Sequence, residues 1–338
     1  MTEGVEIAPF TPGAATEADL IGYHDVMLAR QETDRPDEPR LSYDDCLGRL
    51  NTPFPGFGPV AYWVARTDGA LAGSATVYFP DGAAATTALA EIVVHPRYRG
   101  RGIGTALLRE VLPELRARGR SVVEGWQVTR GSAGDRWAAG LGFRTVHTVV
   151  LQLLLVAERD AAAWTVPVPP GYRLRQWSVA APAELTASYV LAREAIHDAP
   201  IGDLAVRPPK WTVEYLRARE AEMREQDVEL RVVVAQHEAT GVVAGFTEVE
   251  LHPHRPNWAF QRDTAVVSAH RGRGLGRSVK ARMMRWLLAD RPNLERVYTG
   301  TGVENVHMQQ VNHQLGFSTV RTMIAVNQEI TRLEETLT

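Results

Sequence analysis

The sequence contains only one cysteine, Cys46, and almost no surplus of charge. Its 338 residues include 37 Lys and Arg against 40 Asp and Glu, a formal net charge of −3. A single cysteine excludes an intrachain disulfide framework and is typical of a reducing compartment. The near-neutral balance argues against nucleic acid as the main partner. Because Cys46 has no nucleophile signature around it, we interpret it as a small buried or half-buried residue.

Long hydrophobic runs are lacking as well. The longest, residues 149–157, is interrupted by Gln152 and is far too short to cross a bilayer. The N-terminus shows no basic region followed by an apolar core, so we expect no signal peptide, no membrane partner and a cytoplasmic location. With 45% hydrophobic residues at this length, two globular domains are expected.

One pattern occurs twice in the chain. Residues 90–108 read AEIVVHPRYRGRGIGTALL, and residues 263–280 read DTAVVSAHRGRGLGRSVK. Each copy starts at or beside an acidic residue and a β-branched run typical of a buried strand, then passes through Arg-Gly-x-Gly-x-Gly into a helix. The N–H groups of such a loop, backed by the positive end of the helix dipole, suit a diphosphate.

The glycine spacing excludes two common phosphate sites. A P-loop requires a lysine before the hydroxyl residue, but Thr105 follows Gly104 directly. A dinucleotide fingerprint requires a third glycine, but Leu107 stands at that position in the first copy and Val279 in the second. The loop therefore predicts another kind of diphosphate ligand.

Three landmarks recur at a nearly constant offset, which predicts a duplication of about half the chain. The pairs are Arg99 and Arg271, 172 positions apart, Gly73 and Gly245, also 172 apart, and Phe143 and Phe317, 174 apart. We predict a first domain over residues 1–158, a proline-bearing linker over 159–170 and a second domain over 171–338. Each is expected to be a mixed α/β unit with a mostly antiparallel sheet.

Two details of the local structure are also predicted. Pro113 lies inside the helical pattern after the first glycine loop and is expected to kink or shorten that helix. The chain is expected to close with strands over residues 318–330. The acidic stretch from Glu32 to Glu38 is interpreted as a solvated loop, with attraction of a cationic amine as the alternative.

Both copies resemble the acetyl-CoA loop of the GCN5-related N-acetyltransferase (GNAT) superfamily, whose pattern is Arg/Gln-x-x-Gly-x-Gly/Ala. RGRG also occurs in flexible nucleic-acid-binding tails, but two copies between a strand and a helix favour the superfamily. The matching residues are Arg99, Gly102 and Gly104 in the first copy and Arg271, Gly274 and Gly276 in the second. The resemblance covers essentially the whole chain and implies two tandem GNAT-like acyl-CoA N-acyltransferase domains with acetyl-CoA as cofactor.

We assign the loop amides to the pyrophosphate of coenzyme A, and the resemblance implies that amides of the preceding strand, splayed from its neighbour, reach the pantetheine and thioester. The predicted cofactor-binding residues of the first half are Val93, Val94, Arg99, Gly100, Arg101, Gly102, Ile103 and Gly104. Those of the second half are Val266, Val267, Arg271, Gly272, Arg273, Gly274, Leu275 and Gly276, with Asn305 matching an asparagine that superfamily members use near the cofactor. The valines could equally be plain sheet core, and the arginine side chains could be simply solvated.

Transfer to an amine also requires a proton acceptor, because a substrate ammonium has a pKa of about 10. We predict Glu91 as general base in the first half and Asp263 or Glu248 in the second, since an acid at the start of this strand resembles the base of some superfamily members. The alternative is that these acids are surface residues at strand ends.

The usual general acid of the superfamily, a tyrosine four residues before the Gly-Phe pair, is replaced by Ala138 and Asn312. His307 and His313 in the second half could substitute, although lone histidines are more often structural. Gly131 stands where the first half would need the counterpart of Asn305, so the second half is the more complete unit.

We therefore predict an acetyl-CoA-dependent N-acetyltransferase acting on the primary amine of a small molecule, with the chemistry mainly in the C-terminal domain. In tandem members of the superfamily one domain can bind the cofactor without catalysing. The alternatives are an acyl-CoA-binding regulatory or scaffold protein without turnover and a protein-lysine acetyltransferase. No metal site is predicted, because His252-Pro-His254 fits no named ligand spacing. The acceptor and the oligomeric state are left open.

Overall fold

A computed structural model describes residues 4–53, 57–158, 161–205, 207 and 209–337, so the first two residues of the predicted linker lie outside the described part. The strands of the first half are β1 (Val5–Phe10), β2 (Val60–Thr67), β3 (Ala70–Tyr78), β4 (Thr87–Val94), β5 (Val122–Thr129) and β6 (Arg144–Leu155). Its helices are α1 (Glu17–Asp34), α2 (Tyr43–Asn51), α3 (Ile103–Ala117) and α4 (Ala133–Gly140).

The second half repeats this order of elements. Its strands are β7 (Tyr172–Ser178), β8 (Glu229–His237), β9 (Val243–Leu251), β10 (Trp258–Val266), β11 (Arg296–Gly302) and β12 (Ser318–Glu329). Its helices are α5 (Ala183–Arg193), α6 (Val213–Glu225), α7 (Leu275–Asp290), α8 (Val306–Gln314) and a terminal α9 (Ile330–Leu337). No helix in the described residues is both long and apolar enough to span a bilayer.

Contacts group the chain into two compact units. The first comprises Met1–Thr148, Gly202–Arg207 and Thr322–Thr338, and the second comprises Val149–Ile201 and Pro208–Arg321. The domain limits drawn from the repeat, 1–158 and 171–338, stay a prediction about how the duplicated halves are joined.

The first unit contains a mixed sheet in the order β1-β2-β3-β4-β5-β12 over its described residues. β4 and β5 run parallel, and the other neighbours run antiparallel. The second unit has the matching order β7-β8-β9-β10-β11-β6, with β10 and β11 parallel and the other neighbours antiparallel. The predicted mixed α/β fold with two similar halves is confirmed.

Each sheet is completed by a strand from the opposite half of the sequence. In the first unit, residues 323–329 of β12 pair with β5, and in the second unit residues 149–155 of β6 pair with β11. The sixth strand of each unit is therefore supplied over a long sequence separation, which local patterns do not reveal.

Helix α3 packs its apolar stripe against the first sheet and against α9. Leu107, Val111 and Leu115 are buried together with Ile330 and Leu333. Arg109 of α3 also donates to the Leu337 carbonyl at 2.8 Å. The sequence predicted closing strands over residues 318–330 and no helix after them. The apolar residues at 330, 333 and 337 nevertheless have the spacing of a helix.

The expectation that Pro113 shortens α3 was wrong, because the helix continues through it to Ala117. A proline inside a helix costs about 3 kcal/mol. Each buried apolar side chain contributes roughly 1.5–3 kcal/mol. Leu112 and Leu115, on either side of Pro113, are both buried, so their burial offsets the cost of the proline.

If α9 is part of the first core, Leu333→Ala should lower the free energy of unfolding by about 2–4 kcal/mol, since Leu333 is fully buried. Glu335→Ala, an exposed change two residues away, should alter it by less than about 0.5 kcal/mol. Urea unfolding followed by tryptophan fluorescence measures both. Equal, small effects of the two changes would mean that α9 does not pack in the core.

Candidate active site

The site of the first unit begins where β4 and β5 separate. The two strands pair only over Thr87–Ala90 and Val122–Gly125. Beyond Ala90, β4 continues against β3 alone, so the side of β4 that faced β5 has backbone groups without a strand partner. This gap is the splay that the resemblance implies.

The register decides which amides face the gap. Hydrogen-bonded and non-bonded residues alternate along an antiparallel pair. His95 donates its N–H to the Ala72 carbonyl at 2.9 Å, so Val93 is also turned toward β3, whereas Ile92 and Val94 are turned toward the gap. Of the two predicted valines, Val94 turns its amide toward the gap, and Val93 is buried.

The glycine loop continues from this strand. Gly100 and Gly102 have φ of 74° and 80°, a region that residues with a Cβ rarely adopt. Gly102 is the N-cap of α3 and has no side chain to cap it. The first N–H groups of α3 therefore point out of the helix without an intrahelical acceptor, which is the arrangement that binds an anion.

Arg99 fastens the loop to the strand. Its Nε donates to the Val94 carbonyl at 3.2 Å, and its two terminal nitrogens bind the carboxylate of Asp34 at 2.9 and 2.5 Å. This bidentate geometry fixes the guanidinium in one orientation. Arg99 is therefore not freely solvated, and it ties the glycine loop to β4.

The C-terminal end of α1 lies over the same gap. Arg30 forms an ion pair with Glu91 on β4, and Arg35 donates to the Gln127 carbonyl on β5 at 2.9 Å. Together with Asp34, these residues overturn the interpretation of the stretch from Glu32 to Glu38 as only a solvated loop, because α1 extends through Asp34. Sequence reasoning missed Arg30 and Arg35, which carry no local motif.

A cavity of about 340 Å³ occupies the gap, bounded by the glycine loop, β4, β5 and the ends of α1 and α4. Its walls include Glu91, Val94, Gly104, Trp126, Ser132 and Trp137. Glu91 has 45% of its side chain exposed. Its Oε1 contacts Arg30, while Oε2 makes no hydrogen bond within the described residues. The cavity thus presents backbone donors at one end and an accessible carboxylate at the other.

The second unit repeats the loop geometry. β10 and β11 pair only over Trp258–Gln261 and Arg296–Thr299. Val267 donates to the Ala244 carbonyl at 2.9 Å, so Val266 faces the gap as Val94 does. Gly272 and Gly274 have φ of 74° and 78°, and α7 follows directly.

The second arginine clamp is also present. Arg271 Nε donates to the Val266 carbonyl at 2.9 Å, and its Nη2 contacts Asp198. Among the other predicted loop residues, Ile103 and Leu275 are buried in the cores, whereas Arg101 and Arg273 are exposed. The two loops share their backbone conformation, and the side chains of Arg101 and Arg273 are exposed.

The two acids predicted in the second half are brought together by Arg193. Its Nη1 contacts Glu248, and its Nη2 lies 3.1 Å from Asp263, which sits at an irregularity of β10. Tyr189 also donates its hydroxyl proton to Glu248. Glu248 and Arg193 are both buried, so Glu248 is held in a closed polar cluster.

The positions where the superfamily has its tyrosine are both buried. Ala138 lines the first cavity, and Asn312 donates to Gln152 at 2.8 Å. Asn305, predicted near the cofactor, caps α8 by accepting the Met308 N–H. His313 contacts the Phe317 carbonyl at 3.0 Å, and His307 is exposed. Within the described residues no cluster of acids, histidines and cysteine could hold a metal ion.

Comparison with known proteins tests the resemblance over both halves. The model of the acetyltransferase (GNAT) family matches residues 24–142 and again residues 196–317. These two segments cover more than two thirds of the chain, and each contains one glycine loop. The chain belongs to the acetyltransferase (GNAT) family.

Relatives of this GNAT protein include mycothiol acetyltransferases. That of Salinispora arenicola is 30% identical over 260 residues, covering 75% of this chain and 77% of the relative. That of Saccharomonospora viridis is 28% identical over 241 residues, covering 69% and 72%. The chain is accordingly an acyltransferase of the acetyltransferase type, and proteins of this family generally use acetyl-CoA.

Solved structures show the same tandem GNAT architecture. A tandem GNAT protein from the clavulanic acid biosynthesis pathway aligns with a TM-score of 0.79 at 26% identity, over 96% of this chain and 98% of that one. A GCN5-related N-acetyltransferase from Sphaerobacter thermophilus, at 18% identity, shares the fold with a TM-score of 0.74, over 97% and 96%. Both neighbours span essentially the whole chain.

Equivalent positions of α3 and α7 differ in polarity. Leu108 lines the first cavity, and 172 positions later stands Lys280, fully buried against the ring of Phe317. No ion pair to Lys280 occurs within the described residues. Burial therefore lowers the pKa of Lys280 to about 7.

This buried lysine should make stability depend on pH. In the unfolded chain Lys280 keeps its proton up to about pH 10.4, whereas in the folded protein it loses the proton near pH 7. The free energy of unfolding should therefore rise between these two pH values and be constant below the lower one. We expect Lys280→Met to stabilise the protein at pH 6, on the order of 4 kcal/mol, and by much less at pH 9.

Urea unfolding at pH 6 and pH 9 measures this difference. Lys210→Met is the matched control, because Lys210 is exposed and its loss should change stability little at either pH. An equal effect of Lys280→Met at both pH values would show that Lys280 stays charged in the folded protein.

Proposed function

We propose that the protein transfers the acetyl group of acetyl-CoA to the primary amine of a small molecule, and that the transfer takes place in the cavity of the first unit. One observation carries this proposal. The gap between β4 and β5 opens beside a glycine loop at the N-terminus of α3, with the Val94 amide facing it. Backbone donors for a diphosphate and for an acyl oxygen are thus in line.

Each part of the cavity would have a separate task. The amides of the glycine loop and of the first turn of α3 would hold the diphosphate, and those of Ile92 and Val94 would hold the thioester arm. When bound, acetyl-CoA supplies an acetyl group activated as a thioester. Gly100 fits this role because a Cβ there would meet no protein atom within 4 Å, so the space in front of its backbone is open.

Proton transfer would rely on Glu91. Its side chain is 45% exposed, and Oε2, which makes no hydrogen bond within the described residues, can take a proton from the acceptor ammonium directly or through one water. Ala138 cannot donate a proton, so we propose that solvent water protonates the departing sulfur. Preorganised backbone donors such as Val94 contribute a few kcal/mol each to such a transition state.

The sequence favoured the C-terminal half for the chemistry, and that assignment is the competing proposal. The second unit supports it through Asn305 and its intact glycine loop. Against it, Glu248 is buried and held by Arg193 and Tyr189, and Asp263 shares the same arginine. These contacts occupy Glu248, whereas Asp263, with 40% of its side chain exposed, is paired through one oxygen as Glu91 is. We place the transfer in the first unit because Glu91 lines the cavity there.

A matched pair of variants separates the two proposals. Gly104→Asp and Gly276→Asp each place a carboxylate in the first turn of a helix, where it favours the helix but repels a diphosphate. A Cβ would lie 3.5 Å from Val94 in the first case and 3.8 Å from Val266 in the second, which is ordinary contact. We expect Gly104→Asp to weaken acetyl-CoA binding at the first site at least tenfold and to abolish thiol release with an amine panel.

Gly276→Asp should leave thiol release within about threefold of the unchanged protein. The reverse result would assign the chemistry to the C-terminal half. Acetyl-CoA binding by calorimetry without thiol release from any amine would favour a scaffold or regulatory protein, and release only with lysine-containing proteins would favour a protein-lysine acetyltransferase. No binding at all would refute the proposal.

A further inference from the structure

A bulge interrupts β5 inside the first cavity. Val128 pairs with Ile324 and Gly125 pairs with Val326, so two residues of β5, Trp126 and Gln127, lie opposite one residue of β12. A bulge of this kind bends the strand and redirects the side chains at that point. In the second unit, β11 pairs with β6 over seven consecutive residues without such a shift.

The bulge is held in an unfavourable backbone conformation. Gln127 has a φ of 54°, which costs free energy for a residue other than glycine. Arg35, which is buried, donates to the Gln127 carbonyl at 2.9 Å and to its side-chain oxygen at 3.4 Å. Such conformations persist where the surroundings fix them, and they cluster at ligand sites.

Trp126 is fixed by polar and aromatic contacts. Its indole N–H donates to the buried Glu124 carboxylate at 2.8 Å. The second oxygen of Glu124 accepts the N–H of Ala205 at 2.8 Å. The Trp126 ring meets Phe57 edge-on with centroids 4.6 Å apart, and Phe57 meets Tyr78 at 6.0 Å. All three rings are half-buried, so the trio forms a partly open aromatic wall.

Glu91 lies on the same face of the sheet as this wall. Leu89 is the cross-strand partner of both Tyr78 and Glu124, and residues two apart on a strand share a face. Glu91 and Trp126 are each two residues further along, and both line the cavity. An aromatic wall beside an accessible carboxylate is the arrangement that recognises an organic cation.

The second unit lacks an aromatic side chain at the position that matches Trp126. By the register of the paired strands, the counterpart of Trp126 is Gly300, which lies against Val149. Over the described residues of the two sites, Trp126 is therefore a point of difference, whereas the glycine loop is shared by both. Because the shared glycine loop is assigned to the cofactor, we assign the side chains that differ between the two sites to the acceptor.

Building on the proposed function, we propose that Trp126, backed by Phe57 and Tyr78, forms with Glu91 the acceptor subsite, which selects a primary ammonium carried on an apolar ring. Trp126 is the specificity-determining residue. The ring of the acceptor packs on Trp126, and its ammonium approaches Glu91. An amine with its own carboxylate next to the nitrogen is disfavoured, because that carboxylate would meet Glu91.

Binding of benzylammonium to protein saturated with coenzyme A tests this without any turnover. In calorimetry, Trp126→Ala should weaken binding about tenfold, and Trp126→Phe should recover most of the loss because it restores an aromatic face. Glu91→Gln should weaken benzylammonium but not neutral benzyl alcohol. Trp258→Ala, which removes a half-buried tryptophan of the second unit, is the matched control and should change nothing.

The kinetic counterpart is a rise in the KM for benzylamine in Trp126→Ala, with the KM for acetyl-CoA within twofold. The inference is overturned if benzylammonium does not bind the unchanged protein, if Trp126→Ala binds it equally well, or if glycine binds better than benzylammonium. Failure of the proposed function would instead show in the acetyl-CoA titration, which is measured first.

Discussion

The parting of two parallel strands is the constraint on which both sites depend. A strand in the interior of a sheet uses its N–H and C=O groups on both sides, and nothing remains for a ligand. Where β4 leaves β5 after Ala90, and β10 leaves β11 after Gln261, one row of backbone groups becomes available. The glycine loop that follows each strand continues this row of donors into the N-terminus of a helix, so strand and loop form one surface.

Separated strands require something else to hold them, and the motif arginines do so. Arg99 and Arg271 each reach back to the carbonyl of the last valine that faces the gap, and each is held by an aspartate from a preceding helical segment. The arginine in the pattern is thus a structural brace in both halves.

The two units share the strand and loop geometry, while the side chains around it differ. The first cavity has Leu108 and Ala138 in its walls, where the second unit buries Lys280 and Asn312. Burying a lysine or an amide is costly unless partners compensate, and Asn312 finds them in Gln152 and Thr301. The first unit has a bulge in β5 at Trp126 and Gln127, whereas in the second unit β10 is irregular between Gln261 and Thr264. The two sites therefore share one backbone plan but are surrounded by different side chains.

The sequence by itself determined the features that are local: both glycine loops, the strands and helices around them, the repeat and through these the family. Glycine spacing and hydrophobic period act over a few residues, so they can be read without coordinates. Contacts between distant segments were decided only by the tertiary structure. Asp34 meets Arg99 across 65 positions, and β12 and α9 complete the unit that holds the start of the chain. Gln127, whose φ is positive, accepts a hydrogen bond from Arg35 across 92 positions. Such pairings depend on which surfaces meet when the chain folds, and no short pattern records them.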